Sequence, residues 1–192
     1  MVGPNEHSEF PFRDAFNRLG AIAGRGAARA RLAHLLKRRE NLRAQGTRLS
    51  PDECLDMGLA LYDDGRMSLD EAVFWVCRFV LGANNRAEQR VQTTYEKDFA
   101  SRFEALAKGH GLSWEQWTPG DGPPEYEALS AEFGQAEQRI NAEVLREYAN
   151  KAGHPVLVMA ADLYQSDPAA FECQVERGRQ QFLGSANRGE GT

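Results

Sequence analysis

Residues 72–81, AVFWVCRFVL, form the densest run of large apolar side chains in the sequence. A helix that crosses a bilayer needs about 20 apolar residues, so this run is too short to span a membrane and predicts a segment buried in protein. Ser68 precedes it, and Glu71 follows three residues later, which is the pattern of a capping box at a helix start. Gly82 is expected to end the segment as a left-handed stop. The sequence therefore predicts a central helix over residues 69–81, apolar nearly all round.

Helical spacing of apolar residues continues on both sides of this run. Ser50, Pro51 and Glu53 repeat the capping pattern and predict a second helix that ends near Asp63. Further periodic stretches predict helices over residues 27–44, 84–108, 125–152 and 155–164, and a last one from residue 168. Residues 156–158 also suit a strand, but helix is favoured because the sequence offers no partner strand. We therefore expect an all-α fold, a compact bundle of about seven helices.

Glycine and proline positions suggest how this bundle is divided. Gly20, Gly24 and Gly26 predict a break before the first long helix. The Gly/Pro loop at residues 118–124 is the best candidate boundary between two helical subdomains. The resulting division is an N-terminal helical domain, a C-terminal helical part and a disordered tail, at residues 1–117, 125–184 and 185–192. The near-heptad seam over 125–152 suits either internal packing or dimerisation, and the sequence leaves the two open.

Positive charge is concentrated in one segment, although the whole chain carries a net charge of −5. Residues 25–48 hold eight lysines and arginines and one acid, a net charge of +7, so the remainder carries −12. Opposite charge on two surfaces predicts a charged partner. At 3.6 residues per turn, Arg25, Arg39 and Arg43 project beside the leucine stripe of this helix. The predicted partner-binding residues are Arg29, Arg31, Lys37, Arg38, Arg39 and Arg43, with a merely solvated helix as the alternative.

Trp114 and Trp117 are the other candidate partner-binding residues, next to the Gly/Pro loop. Residues three apart lie on the same face of a helical turn, so the two indoles are expected to act together. Burial in the core is the favoured interpretation, and an interface hot spot is the functional one.

The sequence contains no recognisable catalytic, cofactor-binding or metal-binding motif. The four histidines are scattered without an HExxH pattern, and the three cysteines lie far apart within apolar patterns, which favours reduced core thiols. Residues 61–72 are locally similar to helix-turn-helix starts of small bacterial antitoxin-like proteins. The second helix of such a pair would be AVFWVCRFVL, which offers almost no polar group to a DNA groove. We therefore predict a protein that is not an enzyme, holds no cofactor or metal, and does not read DNA through this pair.

These observations favour a cytoplasmic, non-enzymatic protein-interaction protein without a membrane or small-molecule partner. Compact, acidic helical proteins of this size resemble in kind the accessory proteins of bacterial phages and plasmids, some of which inhibit host nucleoprotein machines. We therefore expect a phage- or plasmid-encoded inhibitor, anti-CRISPR-like, whose partner is a protein of such a nucleoprotein complex. The alternative is a nucleic-acid-binding regulator that sets the basic helix 25–48 on phosphates.

Overall fold

The computed structural model describes residues 11–82, 85–111, 120 and 122–189. Side chains are described for those of these residues that lie between 24 and 184. In this part of the chain there are seven continuous helical segments and no strand, which confirms the predicted all-α fold. The helices are α1 (Pro11–Ala44), α2 (Pro51–Asp63), α3 (Leu69–Val76), α4 (Arg86–Thr94), α5 (Ala100–Gly109), α6 (Pro124–Ala152), α7 (Pro155–Ser166) and α8 (Pro168–Gly189). One π-helical turn, Cys77–Leu81, continues α3, and a second, Tyr95–Phe99, joins α4 to α5.

Both predicted capping boxes are present. The Ser50 hydroxyl accepts from the Glu53 N–H at the start of α2, and the Glu53 carboxylate accepts from the Ser50 N–H in return. Ser68 and Glu71 make the same reciprocal pair at the start of α3. These caps satisfy backbone donors that a helix start otherwise leaves without partners.

Three predicted helix boundaries are wrong. The α1 helix is continuous through the glycines before residue 27, because a helical glycine costs only about 1 kcal/mol and does not remove a backbone donor. The α8 helix extends to Gly189, past residue 184 where a disordered tail was expected. Gly82 ends the central segment in an extended conformation, with φ −73° and ψ 175°, rather than in the left-handed region.

The largest core cluster surrounds α3. Ala72, Val73 and Val76 are fully buried there, together with residues of α2, α6, α7 and α8, so this core crosses the predicted boundary at 118–124. Helix α8 packs closely on α3, since a Cβ added at Gly178 would lie only 2.9 Å from the Glu71 backbone nitrogen. The α6 seam contributes Ile140, Val144, Leu145 and Ala149 to the same core, so it packs internally.

Two smaller clusters extend this core. Phe99 and Phe103 pack with Tyr126 and Leu129 between the α4–α5 segment and α6. Leu32 and Leu35 of α1 pack against α2 in the other cluster. Residues 156–158 lie in α7 and are helical, as favoured from the sequence. None of the described helices is long and apolar enough to cross a membrane.

Candidate partner-binding surface

The basic helix α1 lies on α2 through an apolar seam. Leu32 and Leu35 are buried against Met57 and Ala60 of α2, and Leu36 packs at the edge of the same cluster. Positions 32, 35 and 36 recur at helical spacing, so one face of α1 is apolar and the others carry the charges. The seam fixes which basic side chains face α2 and which face solvent.

Three of the six predicted partner-binding basic residues are ion-paired with the α2 region. Arg29 Nε lies 2.5 Å from Asp64 Oδ1, and the Asp64 side chain is fully buried. Arg31 lies 2.5 Å from Asp56, and Arg38 pairs with Glu53. The Ser50 backbone N–H and the Arg38 guanidinium together lower the pKa of Glu53. These arginines therefore help to hold α1 on α2 and have much of their charge compensated within the chain.

The other two acidic residues of α2, Asp52 and Asp63, also contact polar side chains. The Tyr148 hydroxyl of α6 donates to Asp52 at 2.7 Å. Burial is the main cause that raises the pKa of Tyr148 to about 12, and this hydrogen bond is the second. His154 Nε2 lies 3.1 Å from Asp63. Each carboxylate of α2 thus has a contact partner other than Arg39, Arg43 and Arg48.

A second set of arginines has no ion pair within the described part of the chain: Arg39, Arg43 and Arg48. The three side chains are exposed. Gly46, at φ 72°, ends α1, and the Thr47 N–H donates to the Leu42 carbonyl at 2.8 Å, which reverses the chain. This turn brings Arg48 back beside Arg39 and Arg43, which lie one helical turn apart on α1.

These three arginines surround an apolar cavity of about 580 Å³. Its apolar wall consists of Leu49, Cys54, Met57 and Phe79. Such a volume lies within the range of roughly 300–1,000 Å³ typical of ligand pockets. Burial raises the pKa of the Cys54 thiol in this wall, so the wall contributes no negative charge to offset the arginines.

The far wall of the cavity is held in place by Trp75 of α3. Its indole N–H donates to the Cys54 carbonyl at 2.7 Å, and its ring lies 5.2 Å from the Phe79 ring, centroid to centroid. The indole also packs directly over Gly58 of α2, where a Cβ would lie 2.6 Å from Trp75 Cγ. Phe79 is therefore fixed through Trp75 to α2.

Phe79 lies on the π-helical turn that follows α3. Asn85, which is buried, donates its side-chain N–H to the Arg78 carbonyl at 3.2 Å and so satisfies a group near the helix end. A Cβ at Gly82 would lie 3.2 Å from the Arg78 carbonyl carbon, so this close approach favours glycine. Single π turns within helices occur frequently at functional sites.

A larger recess, of about 660 Å³, lies between α4 and α6, but its charges are mixed. Arg86 and Arg139 face it together with Asp98 and Glu143. Its remaining arginine, Arg90, makes a bidentate pair with Glu147 at 2.7 and 2.8 Å, which lowers the pKa of that carboxyl. This recess therefore lacks the uncompensated positive charge found above the cavity between α1 and α2.

The structure separates the predicted site residues into three groups. Arg29, Arg31 and Arg38 face α2 as ion pairs, whereas Arg39 and Arg43 line the cavity. Lys37 is exposed on another side of α1, beside a recess that includes His34. Trp114 and Trp117 lie outside the described residues.

Sequence reasoning missed the cavity wall and one rim residue: Arg48, Leu49, Met57 and Phe79. One available signal was the AVFWVCRFVL run itself. It is apolar nearly all round, so some of its side chains, such as Phe79, can lie at the surface of the bundle instead of in the core. Another was the projection of Arg39 and Arg43 beside the leucine stripe.

The described residues contain no group of three or more His, Cys, Asp or Glu side chains placed to hold a metal ion. The three cysteines are free, but Cys173 is exposed, so the prediction that it is a core thiol is wrong. The chain matches no family model, and searches of curated proteins and solved structures give no significant match.

Proposed function

We propose that the chain is a non-catalytic binding protein that docks an acidic protein partner on the surface formed by the C-terminal half of α1, the 45–50 loop and α2. The observation that carries this proposal is the group of three arginines around an apolar cavity, none of which has an ion pair among the described residues. Arginine, aromatic residues and methionine are enriched at the centres of protein interfaces, and this surface presents arginines together with Met57 and Phe79. Positive charge at the rim steers an acidic partner toward the surface and sets its orientation.

A nucleic acid is a weaker fit to the same helix, although it stays the alternative. Because Arg29, Arg31 and Arg38 are ion-paired, fewer cations of α1 are available for phosphates than the sequence suggests. Backbone binding has a log–log salt slope of about −0.9 for each phosphate neutralised. Five cations between residues 25 and 48 have no ion pair in the described part of the chain, so a slope steeper than about −4.5 for binding through this segment would require the ion pairs of the other three to break.

The proposal is tested by affinity capture from a bacterial lysate, with and without nuclease treatment. The test variant is Arg39→Glu with Arg43→Glu, and the matched control is Arg25→Glu with Lys37→Glu, which makes the same charge change on the same helix away from the cavity. The proposal predicts that a stoichiometric acidic protein is retained by the wild type and the control and lost from the test variant. Equal loss from both variants, or recovery that depends on nucleic acid, would contradict it.

The narrower expectation, inhibition of a bacterial nucleoprotein machine, stays a prediction. It requires that the captured protein belongs to such a complex and that the chain reduces the activity of the complex. The capture experiment followed by an activity assay of the identified complex checks both requirements.

A further inference from the structure

The cavity between α1, α2 and the π turn after α3 combines an apolar wall with a cationic rim, which a merely basic surface does not. Its wall is apolar, with Met57 buried and Leu49 and Phe79 half-buried, whereas its rim is cationic. A phosphate or a chain of carboxylates alone would use the rim and leave the apolar wall in contact with water. An occupant that matches both parts carries an apolar side chain and acidic groups together.

We infer that this cavity receives one large apolar side chain from an acidic segment of the partner, while carboxylates that flank this side chain pair with Arg39, Arg43 and Arg48. This inference rests on the proposed function and specifies the partner's recognition motif. Burying an aromatic side chain removes about 150–250 Å² from water, which makes such an anchor a large contribution to affinity.

The spacing of the rim arginines indicates how the acidic groups are arranged. Arg39 and Arg43 are four residues apart on α1, so their Cβ atoms lie about 5–6 Å apart. Two carboxylates one helical turn apart on a partner helix have the same spacing. Arg48 approaches from the 45–50 loop, so it adds a third cation that does not belong to the helical row.

Charge complementarity favours an acidic peptide segment over a second copy of this chain. Three arginines line the cavity, and none of its described lining residues is acidic. A copy of the same surface would place arginines opposite arginines, which is repulsive in a two-fold symmetric contact.

The test is selection of binding peptides from a displayed random 14-residue library against the folded full-length chain. The inference predicts enrichment of peptides in which one Phe, Trp, Leu or Met is flanked by Asp or Glu at a spacing of three or four residues. Two variants that keep every rim charge separate the anchor from the charges. Thr47→Trp fills the cavity from an exposed loop position, and Phe79→Ala removes part of its wall.

The expected result is that an enriched peptide loses at least tenfold in affinity for Thr47→Trp and for Phe79→Ala, and also for Arg39→Glu with Arg43→Glu. Thermal unfolding of each variant identifies any loss that is due to misfolding, and the Thr47 variant keeps the test valid if removal of Phe79 disturbs the core. Acidic peptides without an apolar anchor, or with unchanged affinity for both cavity variants, would overturn the inference and leave the proposed function standing. Selection that does not enrich acidic peptides would overturn both.

Discussion

Gly58 is the position where a single methyl group most directly tests the packing behind the cavity. A Cβ there would lie 2.5 Å from Nε1 and 2.6 Å from Cγ of Trp75, whereas ordinary contacts begin at 3.4 Å. The indole would have to move by about 1 Å, but it is held by its hydrogen bond to the Cys54 carbonyl and by the ring of Phe79. We therefore expect Gly58→Ala to force overpacking rather than fill empty space.

The expected magnitude combines three contributions to the free energy of unfolding. Overpacking costs about 1–3 kcal/mol, and weakening the indole hydrogen bond costs about 1 kcal/mol. The higher helix propensity of alanine returns about 1 kcal/mol. The net loss is therefore about 2 kcal/mol, which lowers the melting temperature of a chain of this size by roughly 4–8 °C.

The matched control is Gly134→Ala on α6, an exposed helical position where an added Cβ would meet nothing within 4 Å. Only the propensity gain applies there, so Gly134→Ala is expected to raise the melting temperature by about 2–4 °C. Differential scanning calorimetry of both variants measures the contrast. A Gly58→Ala protein as stable as the wild type would refute the tight packing of Trp75 on α2.

Three further predictions concern the capping and ion-pair contacts of the described helices. Ser68→Ala is expected to cost about 1 kcal/mol in urea unfolding through loss of the α3 N-cap, and unchanged stability would contradict the observed capping box. The pKa of Glu53 is lowered in the folded protein, so its contribution to stability is present above its ordinary pKa of 4.5 and is lost as the pH falls through the lower folded value. In that acidic range the free energy of unfolding of Glu53→Gln should change less with pH than that of the wild type. Identical pH profiles for the two proteins would refute this role of Glu53. Arg38→Glu places a carboxylate beside Glu53 and should lower the free energy of unfolding by about 1 kcal/mol. Arg39→Glu should change it by no more than about 0.5 kcal/mol. Equal effects of the two substitutions in thermal unfolding would contradict the assignment of an ion pair to Arg38 and not to Arg39.

Local chemistry made much of the helical framework predictable from the sequence. The helix starts at Ser50 and Ser68 depend on residues three apart, so their signal is complete within a few residues. The position of Arg39 and Arg43 beside the leucine stripe follows from helical periodicity alone. Glycine was a weaker guide, because its cost in a helix is small enough for α1 to continue through it.

The candidate site was less predictable because it is built from contacts between distant residues. Arg29 and Asp64 are 35 positions apart, so their ion pair, and the loss of Arg29 as an available cation, depend on how α1 crosses α2. The cavity likewise combines α1, the 45–50 loop, α2 and Phe79 of the π turn. A periodic pattern identifies the apolar face of each helix. It does not show where two packed helices leave part of these faces uncovered and so form a cavity.

The ion pairs of Arg29, Arg31 and Arg38 also change which substitutions of the predicted partner-binding residues are informative. Substituting Arg38 would disturb its contact with Glu53 and so confuse binding with the attachment of α1 to α2. Arg39 and Arg43 are exposed and have no ion pair in the described part of the chain, so their substitution tests binding more cleanly.

Methyl NMR with 4-phenylbutyrate and its uncharged amide shows whether the cavity beneath Arg39 and Arg43 binds an apolar group attached to an anion. The Met57 methyl group reports on the cavity, and Met67 and Met159, which do not line it, serve as internal controls. We expect a saturable shift of the Met57 resonance with the carboxylate, a much smaller shift with the amide, and loss of the difference in Arg39→Glu with Arg43→Glu. A Met57 resonance that does not move, or that moves equally with both compounds, would contradict this binding.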